Sequence, residues 1–258
     1  MYPLNHPLAP LPERAIQPRT VGITMVMDKG LGRRAAEDLV DNAAPYFDYI
    51  KLGWSTALFV RSLSDKLALY KNASIKPYFG GTLWEAFYVR QKVDDFLRFL
   101  DAHGVQVVEI SDGSIDQPHE EKLHWIRFFA ERGYEVLSEV GSKDATKVLP
   151  PFRWIELIRA ELEAGSRYVI AEARESGTVG MYRSTGEVRE GLVEEVVHHI
   201  SWERLIFEAP QRVQQAWFIR RLGTNVNLGN IAPEEIISVE TMRLGLRGDT
   251  FHTFLERS

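Results

Sequence analysis

The chain contains no cysteine. That excludes a disulfide framework, thiolate metal sites and a cysteine nucleophile, and it suits a reducing compartment. A basic excess is missing too: Lys and Arg number 31 against 36 Asp and Glu, a formal net charge of −5. Such a balance gives no general attraction to a phosphate backbone or an anionic bilayer, so neither nucleic acid nor membrane is expected as a partner. No run reaches the roughly 20 apolar residues of a membrane span, and the opening MYPLNHPLAPLPERAIQPRT lacks the charged start and apolar core of a secretion signal. A cytoplasmic protein is the expectation.

What is present is an ordinary globular composition, with 45% hydrophobic and 26% charged residues in 258. Pro3, Pro7, Pro10, Pro12 and Pro18 crowd the start, which predicts an irregular arm over residues 1–20. From 21 to 258 a short β-branched run, a polar turn and a stretch of helical period repeat. The strand candidates are GITMVMD from Gly22, YIKLGW from Tyr49, KPYFGG from Lys76, VQVVEISDG from Val105, YEVLSEVG from Tyr134, RYVIAEA from Arg167, RLIFEAP from Arg204 and NVNLGN from Asn225. Their starts lie 21–37 residues apart, the step of successive βα units. Segments such as TLWEAFYVRQKVDDFLRFLDAHG carry helical periodicity, and Gly104, Gly133 and Gly165 suit the helix ends. Eight such units are best satisfied by a single closed (β/α)8 TIM barrel, an α/β fold with no open sheet edge. An open doubly wound sheet is the alternative, but no GxGxxG follows the first strand.

Chemistry in a barrel sits at the carboxyl ends of the strands. There this chain places Asp28-Lys29-Gly30, Lys51, Glu109, Glu139, Glu172-Ala173-Arg174, Glu208 and Asn227-Leu228-Gly229-Asn230. Charges embedded in strand-like runs need partners, so Glu109, Glu139, Glu172 and Glu208 are expected to converge with Lys51, Lys143 and Arg174. For any single one of them a structural salt bridge is an equal reading; desolvating the whole set without a ligand is costly. An oxygen-rich, thiol-free cluster suits a hard cation, with Mg²⁺ the natural candidate. The seven histidines offer no HExxH pair. Gly80-Gly81-Thr82, the RESGTVG run from Arg174 and NLGNIAPEE each present glycines suited to an anion, although each alone is an ordinary turn.

As an ordered set, MVMDKGLG, IKLGWSTA, FGGTLWEAF, VEISDGS, LSEVGSKD, AEARESG, FEAPQ, VNLGNIA and GLRGDTF resemble the phosphosulfolactate synthase family. The resemblance runs from about residue 20 to the end. It implies a (β/α)8 barrel, a lyase that uses Mg²⁺, and addition of sulfite to phosphoenolpyruvate to give (2R)-phospho-3-sulfolactate, on a route to coenzyme M or sulfolactate. It places the proton donor on Lys143. Glu139, among the neighbouring charges that would have to poise the pKa of that lysine, is the second catalytic candidate. Lys29, Lys51, Arg174, Gly80, Gly81, Gly229 and Asn230 are then assigned to the substrate anions, and Glu109, Glu172 and Glu208 to the metal. One departure is VGSK at 140–143 where many relatives read VGKK, so that Ser142 stands in place of a cation. Two other functions remain in view. One is a lyase or aldolase forming a Schiff base on Lys51 or Lys143; the other is a non-catalytic barrel like the family's stress-associated relatives. A homo-oligomer through the outer helices is expected.

Overall fold

The structure is a computed structural model that describes residues 8, 11–141, 149–174 and 176–255. Eight parallel strands close in sequence order into one barrel: β1 (Thr24–Asp28), β2 (Tyr49–Leu52), β3 (Lys76–Phe79), β4 (Val107–Ile110), β5 (Glu135–Val140), β6 (Tyr168–Ala171), β7 (Leu205–Glu208) and β8 (Leu228–Ile231). Each begins within three residues of its sequence-based start. Between and after them lie α1 (Arg33–Ala43), α2 (Leu63–Asn72), α3 (Gly81–Tyr88), α4 (Val93–Ala102), α5 (His119–Glu131), α6 (Pro151–Ala164), α7 (Glu190–His199), α8 (Arg212–Leu222) and α9 (Ile236–Arg243).

Side chains alternate across each strand, so one set fills the lumen and the other meets the helices. Val26, Ile50, Val169 and Phe207 pack outward with helix residues such as Ala36, Ile158, Val193 and Phe218. Inside, Tyr49 meets Tyr78 and Tyr168 edge to face, with ring centroids 6.4 and 6.3 Å apart. The lumen is therefore filled toward the amino-terminal ends of the strands. Above that plug the inward positions become Lys51, Glu109, Glu139 and Glu208.

The long helical segment from Thr82 divides into α3 and α4. Arg90 N and Lys92 N both donate to Phe87 O, and Gln91 takes a positive φ of 57°. The break lets Trp84 and Phe96 face each other at 5.8 Å, and Asp94 and Asp95 fall in the first turn of the second helix, where the dipole favours them. Gly104, Gly133 and Gly165 all carry positive φ just beyond their helices.

Residues 11–20 form no helix or strand and run across the amino-terminal face of the barrel. Arg14 Nε lies 3.0 Å from Glu240 Oε1, Arg19 pairs with Asp48 at 2.7 Å, and Tyr168 Oη donates to Thr20 O at 3.0 Å. Among the described residues, the opposite, carboxyl-terminal end is left open.

Candidate active site

At that open end lies a cavity of about 630 Å³ lined by Lys51, Trp54, Glu139, Glu172, Arg174, Glu208 and Asn230, among others. A larger groove of about 1210 Å³ runs between Arg183, Arg189 and Trp217 on the outside. It contains none of the strand-end carboxylates, so the smaller one is the candidate active site.

Glu139 is the last residue but one of β5, Glu172 follows β6 and Glu208 ends β7. Each offers a carboxylate oxygen within 4.8 Å of the others, and all three are buried. Burial pushes the Glu208 carboxyl up to about 7; Lys51 and the Ala173 N–H pull it back, while Glu139 and Glu109 push the same way as burial. Three acids in so small a space repel, and a cation between them removes that cost.

Glu109, on β4, stands apart from this group. Lys51 Nζ sits 2.8 Å from its Oε1, and the Gly81 N–H donates to the same oxygen at 2.7 Å. Lys51 is 3.7 Å from Glu139, so the ammonium bridges the two strands. Burial works against the charge on Lys51, but Glu109, Glu139 and Glu208 outweigh it and hold its pKa above the usual lysine value. It stays an ammonium.

The loops that carry the remaining groups are shaped by the same few side chains. Asp28, fully buried at the end of β1, is 2.6 Å from Lys66 and accepts Gly30 N–H and Leu31 N–H, which folds the turn bearing Lys29. Lys29 stands exposed at the rim, its Nζ 5.1 Å from the Trp54 ring centroid. Trp54 and Ser55 are both left-handed, with φ of 51° and 61°. So are Arg174 and Asn230, at 58° and 54°. Non-glycine residues adopt this conformation at a cost, and strain of this kind gathers at working sites. Asn230 Nδ2 donates to Arg174 O at 3.2 Å, and Arg174 N donates to Glu172 Oε1 at 2.5 Å, so the β8 end, the loop after β6 and one carboxylate form a single chain of contacts.

The three glycines have packing reasons to be glycine. A Cβ on Gly80 would lie 2.7 Å from Lys51 Cε, and one on Gly81 would lie 2.1 Å from Ser111 Oγ and 2.5 Å from Glu109 Oε1. One on Gly229 would meet Ile206 and Met25 at 2.8 Å. They admit Lys51, Glu109 and the lumen side chains, and the Gly81 amide is already engaged. Of the sequence-based candidates the cavity thus gathers Lys51, Arg174, Asn230, Glu139, Glu172 and Glu208 on its walls, with Lys29 at its rim. Lys143, with Ser142, lies outside the described residues. Sequence reasoning did not single out Trp54, which is 46% exposed beside the buried cluster. It also passed over Tyr78, whose hydroxyl is fully buried close to Glu109 and keeps its proton because burial and the neighbouring carboxylates raise its pKa.

The (2R)-phospho-3-sulfolactate synthase family model matches residues 12–249. The phosphosulfolactate synthase of Methanothermobacter thermautotrophicus is 42% identical over 244 residues, covering 93% of this chain and 95% of the relative. That of Bacillus subtilis is 41% identical over 244 residues, covering 93% of this chain and 96% of the relative. Among solved structures, a 3-hexulose-6-phosphate synthase superposes with a TM-score of 0.54 at 13% identity, covering 86% of this chain and 98% of that one, a likeness of fold alone. With the family pattern matched from the arm to beyond α9, and close relatives aligned over nearly their whole length, this chain belongs to the (2R)-phospho-3-sulfolactate synthase family.

Proposed function

We propose that the protein is a lyase that adds sulfite to phosphoenolpyruvate and yields (2R)-phospho-3-sulfolactate. The carrying observation is the open-end cavity in a chain of this family: three clustered carboxylates beside Lys51 and Arg174. The sulfur lone pair of sulfite forms the bond to C3, the C2–C3 π pair moves onto C2 and the carboxylate, and C2 then takes a proton. Nothing leaves. The site therefore has to gather two anions, stabilise a growing enolate-like charge and deliver one proton to one face.

Glu139, Glu172 and Glu208 fit Mg²⁺: hard oxygen donors, close together, with Glu208 carrying the raised pKa of a crowded acid. An ion held by these three carboxylates would supply positive charge to offset the enolate-like charge that develops on the substrate. Glu109 is engaged with Lys51 and the Gly81 amide, which favours Glu139 over it as the third ligand. Lys51, fixed between strands as an ammonium, and Arg174 bind the phosphate and sulfonate oxygens; Lys29, above Trp54, draws the anions to the rim. Asn230 acts on them through the Arg174 backbone. The proton is assigned to Lys143 on the resemblance of the VGSK segment, with Glu139 near that strand end.

A Schiff base on Lys51 is disfavoured, because an imine needs a neutral amine and the three carboxylates hold this one protonated. The reading also carries a cytoplasmic location and a homo-oligomeric assembly, and among the described residues no helix is long and apolar enough to cross a membrane. The test is to mix purified protein, Mg²⁺, sulfite and phosphoenolpyruvate and follow the phosphorus NMR spectrum. A sulfite-dependent phosphate ester is expected, abolished by Lys143→Ala with the fold retained. Absence of sulfite-dependent loss of phosphoenolpyruvate refutes the assignment.

A further inference from the structure

Behind β5, on the helix side of the sheet, lies a second buried charge cluster that the proposed reaction does not use. Its sequence signature is a pair of misfits. Lys122 sits on the same stripe of α5 as Ile126 and Phe129, and Glu161 on the same stripe of α6 as Trp154 and Ile158. Lys122 is 1% exposed and Glu161 is 0% exposed, and their charged atoms are 2.8 Å apart. An apolar pair of similar volume at such positions is commonly as stable or more so, so the charges ask for another reason.

Lys122 makes two further contacts, both with strand ends of the site. Its Nζ donates to Glu139 O at 2.5 Å and to Asp112 Oδ1 at 2.9 Å. The pairing of β4 with β5 stops at Ile110 with Ser138. Glu172 N–H donates to Val140 O on the β6 side, which turns the Glu139 carbonyl toward the place that β4 has just left. The lysine takes over there as a ladder bond would, and in the same grip holds Asp112, where the chain turns away from β4. Glu109 stands at the end of β4 and Glu139 at the end of β5, and Lys51 spans the gap between their carboxylates.

We infer that Lys122 is a positioning residue: from outside the barrel it clamps the ends of β4 and β5 and so sets where Glu139 stands relative to Glu172 and Glu208. Glu161 is its counter-charge at 2.8 Å, and His119 Nε2 lies 3.4 Å from the same carboxylate oxygen. The inference rests on the reading of Glu139 as a metal-holding carboxylate.

Lys122→Met alone leaves the buried Glu161 carboxylate with His119 as its remaining neighbour of opposite sign and is expected to melt below wild type. The decisive protein is therefore the full-length double variant Lys122→Met with Glu161→Gln, in which both charges are gone. Three measurements are made on it and on wild type: thermal melting without metal, hydrogen exchange over peptides spanning 111–117 and 135–141, and Mn²⁺ affinity by electron paramagnetic resonance. The clamp predicts a melting temperature close to wild type, faster exchange confined to those two segments, and Mn²⁺ bound at least about tenfold more weakly, the loss typical when a group supporting a metal ligand is removed. A merely structural ion pair predicts that neutralising both partners restores everything. Wild-type Mn²⁺ affinity in the double variant, whatever its exchange, overturns the inference. If wild type itself binds no Mn²⁺, the carboxylate reading has failed separately; the clamp is then judged by exchange, and unchanged exchange in both segments overturns it.

Discussion

Lys51 Nζ and Glu109 Oε1 lie 2.8 Å apart inside the barrel, and the same oxygen also accepts the Gly81 N–H. One carboxylate thus fixes both the cation on β2 and the loop after β3. Glu109→Leu removes both anchors at once and leaves a buried ammonium that has lost its nearest counter-charge, so it should cost about 3–5 kcal/mol of stability. Glu109→Gln keeps an acceptor for the Gly81 amide and should cost markedly less. Urea unfolding of the two variants checks this. A Leu variant as stable as wild type would mean that the pair is incidental.

The group of Glu139, Glu172 and Glu208 makes the opposite prediction for stability. Without a cation, mutual repulsion and desolvation work against the folded state, as the raised Glu208 carboxyl reflects. Glu172→Gln should therefore melt higher than wild type in metal-free buffer. It should also lose most of the stabilisation that Mg²⁺ gives wild type, which for a ligand at a hundred times its Kd amounts to about 2.7 kcal/mol. Melting curves with EDTA and with saturating Mg²⁺ decide it. An equal Mg²⁺ shift in both proteins would remove Glu172 from the metal set.

Much of this was readable in the residues, and the limits have physical reasons. Strand period and βα spacing report the barrel because every strand must be buried on both faces, which is why Tyr49 and Lys76 begin strands where the pattern starts them. Which carboxylates form a group is a lateral question around the barrel. Glu109 and Glu139 are alike in sequence; the closer approach of Lys51 and the Gly81 amide to Glu109, and the grouping of Glu139 with Glu172 and Glu208, separate them in space. Gly80 and Gly81 read as an anion cradle because composition cannot distinguish a glycine that admits a ligand from one that admits Lys51 or Glu109. Lys122 and Glu161 left a signal, charges on apolar stripes, which is visible once both helices are known to face the barrel.

Gly180 tests how tightly the loop after β6 is built. Its φ is +62°, and an added Cβ would lie 1.9 Å from the carbonyl oxygen of Glu172, a backbone atom that has no rotamer to escape into. Gly180→Ala should cost more than about 2 kcal/mol through the combined backbone strain and overpacking. It should also weaken Mg²⁺ binding, since the displaced backbone carries Glu172. Denaturant unfolding and metal titration report the two effects. A variant that loses stability but binds Mg²⁺ as wild type does would show that the loop yields without moving the carboxylate.

The arm offers a control at the other end of the barrel. Arg14 is 7% exposed and reaches Glu240 on α9 and Asn225 ahead of β8, so it ties the start of the chain to its last helix. Arg14→Leu takes away the guanidinium facing a buried carboxylate and should cost about 3 kcal/mol, toward the low end for such pairs because Arg243 also acts on Glu240. The proposed site sits at the opposite ends of the strands. Well below the melting temperature kcat and KM should therefore stay at wild-type values while the melting temperature falls. Adding Glu240→Gln should recover part of the loss, because the acid then no longer has to be buried as an anion. A fall in kcat at temperatures where the variant is fully folded would show that the amino-terminal face is coupled to the site, and that the plug of tyrosines between them transmits strain rather than insulating it.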